Sequence, residues 1–135
     1  MVNVIILAGQ RKGVIDSLCL NADVSHKALV PINGIPMIDF VIKTLLKSNL
    51  NKPFGISGFY ADHHKCLEQL PNETGPAGSA LTALTKRNKF PSLLTTCDHP
   101  LLSTEMLKIF IEKSQQNGAD FSMAFAEKSV IQNSY

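Results

Sequence analysis

Residues 2–8 read Val-Asn-Val-Ile-Ile-Leu-Ala, and Gly9 and Gln10 follow them directly. This run is almost entirely apolar and rich in β-branched side chains, a composition typical of a strand buried on both faces. Strands of that kind lie in the middle of parallel sheets whose two faces are covered by helices. The stretch therefore predicts a central parallel strand with a glycine turn at its carboxyl end.

Strand and helix patterns alternate along the rest of the chain. Apolar residues recur at helical spacing in some segments, whereas other segments are short apolar runs bounded by Gly, Pro or Asn. Residues 9–26 have no clear hydrophobic period and predict a long loop, and loops of that length are usually functional or disordered. The predicted strands are residues 54–59, 91–97 and 121–126, and the predicted helices are residues 36–49, 62–70, 75–87 and 103–117.

This alternation predicts an α/β fold, a Rossmann-like three-layer α/β/α arrangement built from right-handed βαβ units on a mainly parallel sheet. In such sheets, ligands bind beyond the carboxyl ends of the strands. Three polar or glycine-rich segments follow predicted strands here, at residues 9–27, 57–58 and 98–100. We expect these three segments to converge on one site.

Composition narrows the class of protein. The chain has 135 residues, 44% of them hydrophobic, which is enough for the core of one domain. Its 13 Lys and Arg against 11 Asp and Glu leave a net charge of +2, which argues against nucleic acid as a partner.

The apolar run at residues 4–8 is far shorter than the roughly 20 residues of a membrane-spanning helix, so no membrane contact is expected. Three widely spaced cysteines without a Cys-x-x-Cys pair indicate free thiols and a cytoplasmic protein.

Several familiar catalytic and binding motifs are absent from the sequence. It contains neither a Gly-Lys-Ser/Thr phosphate loop nor a Gly-x-Gly-x-x-Gly motif after the first strand. The glycines around Ser57 do not have the spacing of a nucleophile elbow. A receiver domain would place paired acids where the chain has Gly9 and Gln10. No standard zinc-ligand spacing occurs among His63, His64, Cys66, Cys97 and His99.

Asp98 is the candidate with the clearest chemistry, because a carboxylate that follows an apolar strand at the ligand edge is well placed to bind Mg²⁺. A turn-capping role is equally consistent with its position. Lys27 follows the long loop and is placed to reach phosphates, although a lone lysine is usually only solvated. Residues 75–79 at a predicted helix start offer free backbone amides, but they are equally a turn. Arg11 and Lys12 favour an anionic ligand.

Four segments, in this order, resemble the nucleotidyltransferase family with the glycosyltransferase-A-like Rossmann fold. That family includes molybdenum-cofactor guanylyl- and cytidylyltransferases and sugar-phosphate nucleotidyltransferases. Residues 5–13, Ile-Ile-Leu-Ala-Gly-Gln-Arg-Lys-Gly, are similar to its opening Leu-Ala-Gly-Gly loop with the following Arg and Gly. Residues 26–38, His-Lys-Ala-Leu-Val-Pro-Ile-Asn-Gly-Ile-Pro-Met-Ile, resemble its Lys-x-Leu and Gly-x-Pro-Met-hydrophobic motifs. Residues 75–79 and 96–101 resemble the nucleotide-contacting helix start and the metal-binding Asp with its following Pro.

The resemblance implies transfer of a nucleoside monophosphate from a nucleoside triphosphate to a small phosphorylated or otherwise nucleophilic acceptor, with release of pyrophosphate. It implies Mg²⁺ as the cofactor, with Asp98 as its ligand and as a catalytic residue. Lys27 is the second implied catalytic residue, because it offsets charge on the triphosphate. The implied nucleotide-binding residues are Leu7, Ala8, Gly9, Gln10, Arg11, Gly13, Lys27, Ser57, Gly78 and Ser79, with Gly58 beside Ser57.

Members of the resembled family run well beyond the length of this chain, which ends soon after its last predicted strand. We therefore expect residues 1–135 to form a single nucleotidyltransferase-like domain, the nucleotide-binding part of such an enzyme, incomplete at the carboxyl side. Two alternatives stay open: a nucleotide-binding remnant without catalysis, and an interaction module that keeps only the fold. An exposed edge strand at residues 121–126 would favour association, so a homo-oligomer is also anticipated.

Overall fold

β1, Asn3–Leu7, is the central strand of the sheet, as its sequence predicts. The computed structural model describes residues 1–60 and 64–133. The other strands are β2 Pro31–Ile32, β3 Ile35–Pro36, β4 Phe54–Ser57, β5 Leu67–Leu70 and β6 Ser92–Thr96. The helices are α1 Ser17–Ala22, α2 Met37–Lys47, α3 Pro76–Arg87, α4 Thr104–Gln116 and α5 Lys128–Gln132, and a 3-10 turn spans Lys27–Leu29.

The main sheet has the strand order β5-β4-β1-β6, and all of its pairings are parallel. β1 pairs with β4 on one side and along its whole length with β6 on the other. Three successive side chains of β1, Val4, Ile5 and Ile6, have no solvent exposure. Burying a side chain of this size contributes roughly 1.5–3 kcal/mol to stability. The α/β class with a parallel sheet is therefore confirmed.

Helices cover the two faces of this sheet. Ile5 of β1 packs with Leu70 of β5 and Ala83 of α3, so α3 lies on the face to which Ile5 points. Val4 and Ile6 point to the opposite face, because successive side chains of a strand alternate. A right-handed crossover from β1 through α2 to β4 places α2 over that second face. The buried side chains of α2 are Met37, Ile38, Val41, Ile42 and Leu45.

Local sequence explains how several of these elements begin. Asn33 and Gly34 have φ values of 50° and 79°, as the tight turn between the antiparallel strands β2 and β3 requires. Pro76 stands at the start of α3, where its missing N–H costs no helical hydrogen bond. Ser103 caps α4 by accepting a hydrogen bond from the Met106 N–H at 3.1 Å. The predicted helices at these positions are confirmed.

Three sequence predictions are wrong. Residues 9–26 are not entirely loop, because they contain α1, which is too short to show a period and is held by burial of Cys19 against Val30 and Met37. Residues 62–70 do not form the predicted helix, since residues 67–70 form β5; residues 61–63 lie outside the described part. Pairing with β4 outweighs the weak local helical pattern there.

The third wrong prediction is the strand at residues 121–126. These residues are described and have no strand pairing, and three alternate apolar side chains along them are exposed. A strand needs a partner for its backbone groups, and no described strand supplies one. The predicted edge strand at this position is therefore not formed.

Contacts divide the chain into two compact units. One extends over Met1–Leu102 and contains the parallel sheet, and the other begins at Ser103 and contains α4 and α5. In the described part of the chain, every helix falls short of the length and apolar character that a bilayer crossing requires.

The loops after β1 and β4 approach so closely that a side chain at Gly58 has no room. An added Cβ there would lie 2.4 Å from the Gly9 Cα, and Gly58 has a φ of +89°. We expect Gly58→Ala to lower the free energy of unfolding by about 3 kcal/mol, from backbone strain and steric overlap together. Urea denaturation followed by circular dichroism measures this loss.

Gly34→Ala is the matched control. Gly34 has a similar φ of +79°, but nothing lies within 4 Å of an added Cβ. Its substitution should therefore cost only the backbone component, about 1–2 kcal/mol. Equal losses in the two variants would contradict a steric requirement for glycine between the loops.

Candidate functional site

Segments that follow neighbouring strands meet at the carboxyl edge of the sheet. The Ala8 N–H donates to the Ser57 carbonyl oxygen at 2.7 Å, which joins the ends of β1 and β4. On the other side of β1, the Cys97 N–H donates to the Leu7 carbonyl oxygen at 3.2 Å. An added Cβ at Gly9 would lie 3.3 Å from Asn72 Oδ1, so the segment after β5 also reaches this edge.

Lys27 and Asp98 form an ion pair at this edge, although 71 residues separate them in sequence. The distance from Lys27 Nζ to Asp98 Oδ2 is 2.6 Å, and the two side chains are 35% and 34% exposed. Thr96 Oγ1 donates a hydrogen bond to the other carboxylate oxygen, Asp98 Oδ1. The structure therefore brings together the two side chains for which the sequence predicts catalytic roles and leaves both accessible.

The environment keeps both members of this pair charged. Burial opposes ionisation of Asp98, but hydrogen bonds from Lys27 and Thr96, together with the lysine charge, outweigh it and lower the pKa of the carboxyl. The hydrogen bond to Asp98 raises the pKa of Lys27, although burial partly opposes it. The result is a carboxylate and an ammonium group held together throughout the neutral pH range.

Cys97, which precedes Asp98, does not supply a thiolate. Its thiol is buried, and burial first, with the negative charge of Asp98 second, raises its pKa to about 11. A protonated thiol is a poor nucleophile and a poor metal ligand. This edge therefore presents a carboxylate at Asp98, an ammonium group at Lys27 and a neutral thiol at Cys97.

The side chain of Gln10 holds the two ends of the loop after β1 together. Its Oε1 accepts the backbone N–H of Lys27 at 3.0 Å, and its Nε2 donates to the Ser25 carbonyl oxygen at 3.2 Å. Gln10 thus helps to set the position of Lys27. A cavity of about 280 Å³, lined in part by Gln10, Cys19 and Ser25, opens beside this loop.

Arg11 and Gly13 lie in the exposed part of the same loop. Gly13 has a φ of +76°, a conformation that favours glycine, and an added Cβ would meet nothing within 4 Å. Arg11 is exposed to solvent. Their roles in nucleotide binding stay predictions.

Two serines predicted to contact a nucleotide are buried and hydrogen-bonded to the segment after β5. Ser57 Oγ donates to the Pro71 carbonyl oxygen at 2.6 Å and has no solvent exposure. Ser79 Oγ accepts the Glu73 N–H at 3.0 Å and lies 3.0 Å from Asn72 Oδ1. Their hydroxyls therefore orient residues 71–73, and their contact with a nucleotide stays a prediction.

Gly78 supports the same arrangement, because an added Cβ would lie 3.3 Å from the Glu73 Cβ. This is a tight contact, so the small residue lets α3 lie close to the segment after β5. The backbone of this helix start is thereby placed beside the exposed residue Asn72.

Sequence reasoning missed Asn72 and Thr96. Asn72 follows β5, a strand that the sequence led us to expect as a helix, so nothing pointed to the sheet edge there. Thr96 could have been found, because residues two apart on an extended chain lie on one side and Thr96 is two before Asp98.

The donor set at this edge suits Mg²⁺. That ion takes one or two protein carboxylates and completes its shell with water and substrate phosphates. Asp98 supplies an accessible carboxylate, oriented by Thr96, and Lys27 shows that the second oxygen accepts a cation there. Within residues 1–60 and 64–133, no three acidic, histidine or cysteine side chains are grouped to hold a metal by themselves. A zinc centre on His64 or Cys97 is thus not formed among those residues.

Comparison with known families agrees with this geometry. The sequence pattern of the MobA-like NTP transferase domain matches residues 4–133. The chain belongs to this family. The match extends over nearly all of the 135 residues, including the loop after β1 and the segment around Asp98.

Proteins similar to this domain include one named as bifunctional and two named as transferases. A bifunctional protein GlmU from Oceanobacillus iheyensis is 31% identical over 107 residues, which cover 73% of this chain and 24% of that protein. A hypothetical transferase from Thermus thermophilus superposes with a TM-score of 0.67 at 26% identity, over 84% of this chain and 47% of the other.

A nucleotidyl transferase from Methanothermobacter shares the fold, with a TM-score of 0.63 at 19% identity, over 83% of this chain and 57% of that chain. The MobA-like domain described here therefore spans about half, or less, of the length of these proteins.

The Lys27–Asp98 pair predicts a pH dependence of stability. Because the folded pKa of Asp98 is lowered, its contribution is complete above the ordinary value of 3.8 and is lost as the pH falls through the lowered value. The contribution of Lys27, whose pKa is raised, is complete below 10.5 and is lost as the pH rises through the raised value. Both side chains are partly exposed, so the effect is modest.

Lys27→Met tests this prediction. The difference in unfolding free energy between wild type and variant should shrink as the pH falls into the acid range, measured by urea denaturation. Asp39→Asn is the matched control, since Asp39 is hydrogen-bonded to His64 at 2.9 Å in another part of the unit. The prediction would be contradicted if the difference in unfolding free energy between wild type and Lys27→Met stayed constant from neutral to strongly acid pH. Asp98 would then have no charge interaction with Lys27.

Proposed function

We propose that this chain carries out Mg²⁺-dependent transfer of a nucleoside monophosphate from a nucleoside triphosphate to a small phosphorylated acceptor, with release of pyrophosphate. The observation that carries the proposal is the ion pair of Lys27 and Asp98 at the carboxyl edge of the sheet of a MobA-like domain. In this proposal Asp98 binds the metal cation and Lys27 binds phosphate, and the two side chains are joined by a hydrogen bond. The reaction needs both.

Asp98 is the proposed metal ligand, and Thr96 orients its carboxylate. When bound, Mg²⁺ would be held by Asp98 and would stabilise the negative charge that develops on the departing pyrophosphate. Lys27, whose Nζ lies 2.6 Å from Asp98 Oδ2, would offset charge on the triphosphate with its ammonium group. The ion pair thus holds Lys27 near its working position before substrate arrives.

The loop after β1 is the proposed triphosphate cradle. Backbone N–H groups around Gly9 and Gln10 would face the phosphates, and the exposed Arg11 would add a second cation. Leu7 and Ala8 place this loop by pairing with the ends of β6 and β4, and Gly13 provides its turn. Base and ribose would lie against the backbone beside the buried hydroxyls of Ser57 and Ser79, and beside Gly78.

In the reaction, an acceptor oxygen attacks the α-phosphorus, the bond from that phosphorus to the β-phosphate oxygen breaks, and pyrophosphate carries away the electron pair. No protein nucleophile is required, so the residues contribute position and electrostatic stabilisation. The free thiols of the chain suit a cytoplasmic location, which is part of the proposal. Association with a second copy also remains a proposal.

Calorimetry with ATP, GTP, CTP and UTP, with and without Mg²⁺, tests nucleotide binding. We expect Asp98→Asn to remove the Mg²⁺-dependent part of the affinity and Lys27→Met to weaken binding about tenfold or more, because each loses a charge-assisted contact. Asp39→Asn should bind like wild type, since it alters a hydrogen bond with His64 that lies away from Lys27 and Asp98 in sequence and on another helix.

Pyrophosphate release with a panel of phosphorylated acceptors then tests catalysis. Mg²⁺-dependent release supports the transferase, whereas binding without release supports the alternative of a nucleotide-binding domain without turnover. Absence of binding to all four triphosphates would overturn both.

A further inference from the structure

His26 caps the 3-10 turn that carries Lys27. Its Nδ1 accepts the backbone N–H of Ala28 at 2.9 Å, and its carbonyl oxygen accepts the Leu29 N–H at 2.9 Å. Its backbone is extended, with φ −145° and ψ 142°, as expected for a residue just before a helical turn. Ser, Thr, Asp and Asn usually fill this position, and they accept through oxygen. Here an imidazole nitrogen makes the same contact.

The other side of the imidazole ring is held by the loop after β4. The ring centroids of His26 and Phe59 lie 4.6 Å apart with an interplanar angle of 46°. Phe59 follows Gly58, whose backbone abuts Gly9. A short oxygen-bearing side chain at position 26 would provide the cap but could not extend across this gap to Phe59. The histidine therefore connects two loops of the site as well as capping the turn.

We propose that His26 is a positioning residue, which fixes the turn bearing Lys27 against the loop after β4 and so sets the reach of the Lys27 ammonium group at Asp98. The inference rests on the proposed function, in which Lys27 contacts phosphate. It adds a residue that contacts neither substrate nor metal but acts through Lys27.

The arrangement specifies the protonation of the ring. Nδ1 accepts a hydrogen bond, so the proton of the neutral imidazole is on Nε2. Nε2 is buried and, within the described residues, has no hydrogen-bond partner of good geometry. Burial lowers the pKa of His26, although the backbone of Gly58 and of Ala8 partly opposes this effect. A neutral ring with its proton on Nε2 is the form that the cap requires.

Two substitutions distinguish the contribution of the hydrogen bond to the Ala28 N–H from that of the ring contact with Phe59. His26→Ala removes both contacts, and we expect it to weaken nucleoside triphosphate binding about tenfold. His26→Asn keeps a cap acceptor but loses the ring contact with Phe59, and we expect it to recover only part of that loss, leaving binding about threefold weaker than wild type. Affinity is measured by calorimetry with Mg²⁺, and the melting temperature of each variant is measured beside it.

His64→Ala is the matched control, because His64 is another partly buried histidine with a 2.9 Å hydrogen bond, to Asp39, outside the Lys27 turn. It should lower the melting temperature about as much as His26→Ala and leave affinity unchanged. Unchanged affinity in His26→Ala, or no recovery in His26→Asn, would overturn the positioning role.

Nuclear magnetic resonance tests the proposal without a ligand. We expect ¹⁵N shifts of the Nε2–H tautomer for His26, and in His26→Ala we expect faster exchange of the Ala28 amide and a shifted Lys27 ammonium resonance. If wild type binds no triphosphate, the proposed function fails, and the Lys27 resonance alone decides the role of His26. An unshifted resonance overturns it. If His26→Ala does not fold, Phe59→Leu takes its place in both measurements.

Discussion

The pairing of β1 with strands on both sides is the constraint on which the rest of the structure depends. Its side chains Val4, Ile5 and Ile6 are fully buried on the two faces of the sheet, so a shift by one residue would exchange the side chains of these faces and disrupt the packing on both. Because β4 and β6 run parallel to it, their carboxyl ends lie beside its own. Residues that follow these strand ends therefore lie at the same edge of the sheet, however far apart they are in sequence.

The ion pair of Lys27 and Asp98 forms because both residues lie at this edge of the sheet. The two residues are 71 positions apart in the chain, and the sheet edge brings Lys27 Nζ and Asp98 Oδ2 to 2.6 Å. An exposed pair of this kind contributes little to stability. Its value lies in keeping a carboxylate and an ammonium group charged and close at an accessible place. Thr96 donates a hydrogen bond to the carboxylate, Gln10 accepts the backbone N–H of Lys27, and His26 accepts the backbone N–H of Ala28 in the same turn.

Several features of this architecture were predictable from local sequence because the signals are strong and local. The β-branched run before Gly9 indicated the central strand, and periodic apolar residues indicated α2. The loop containing α1 and the strand β5 were not predictable in this way. Their stability comes from Cys19 packed against Val30, and from pairing with β4, and neither contact leaves a pattern within the segment. Residues 121–126 show the converse, a strand-like pattern without a partner strand.

The sequence by itself determined the α/β class, the family and the two charged residues of greatest interest, Lys27 and Asp98, because residue type and spacing carry that information. Only the tertiary structure decided that these two residues contact each other, and that Ser57 and Ser79 are buried around Asn72. It also decided that His26 caps the turn of Lys27 while packing on Phe59. The physical reason is that the contacts of Lys27 with Asp98 and of His26 with Phe59 join segments far apart in the chain, whose distances are set by the parallel strand pairing.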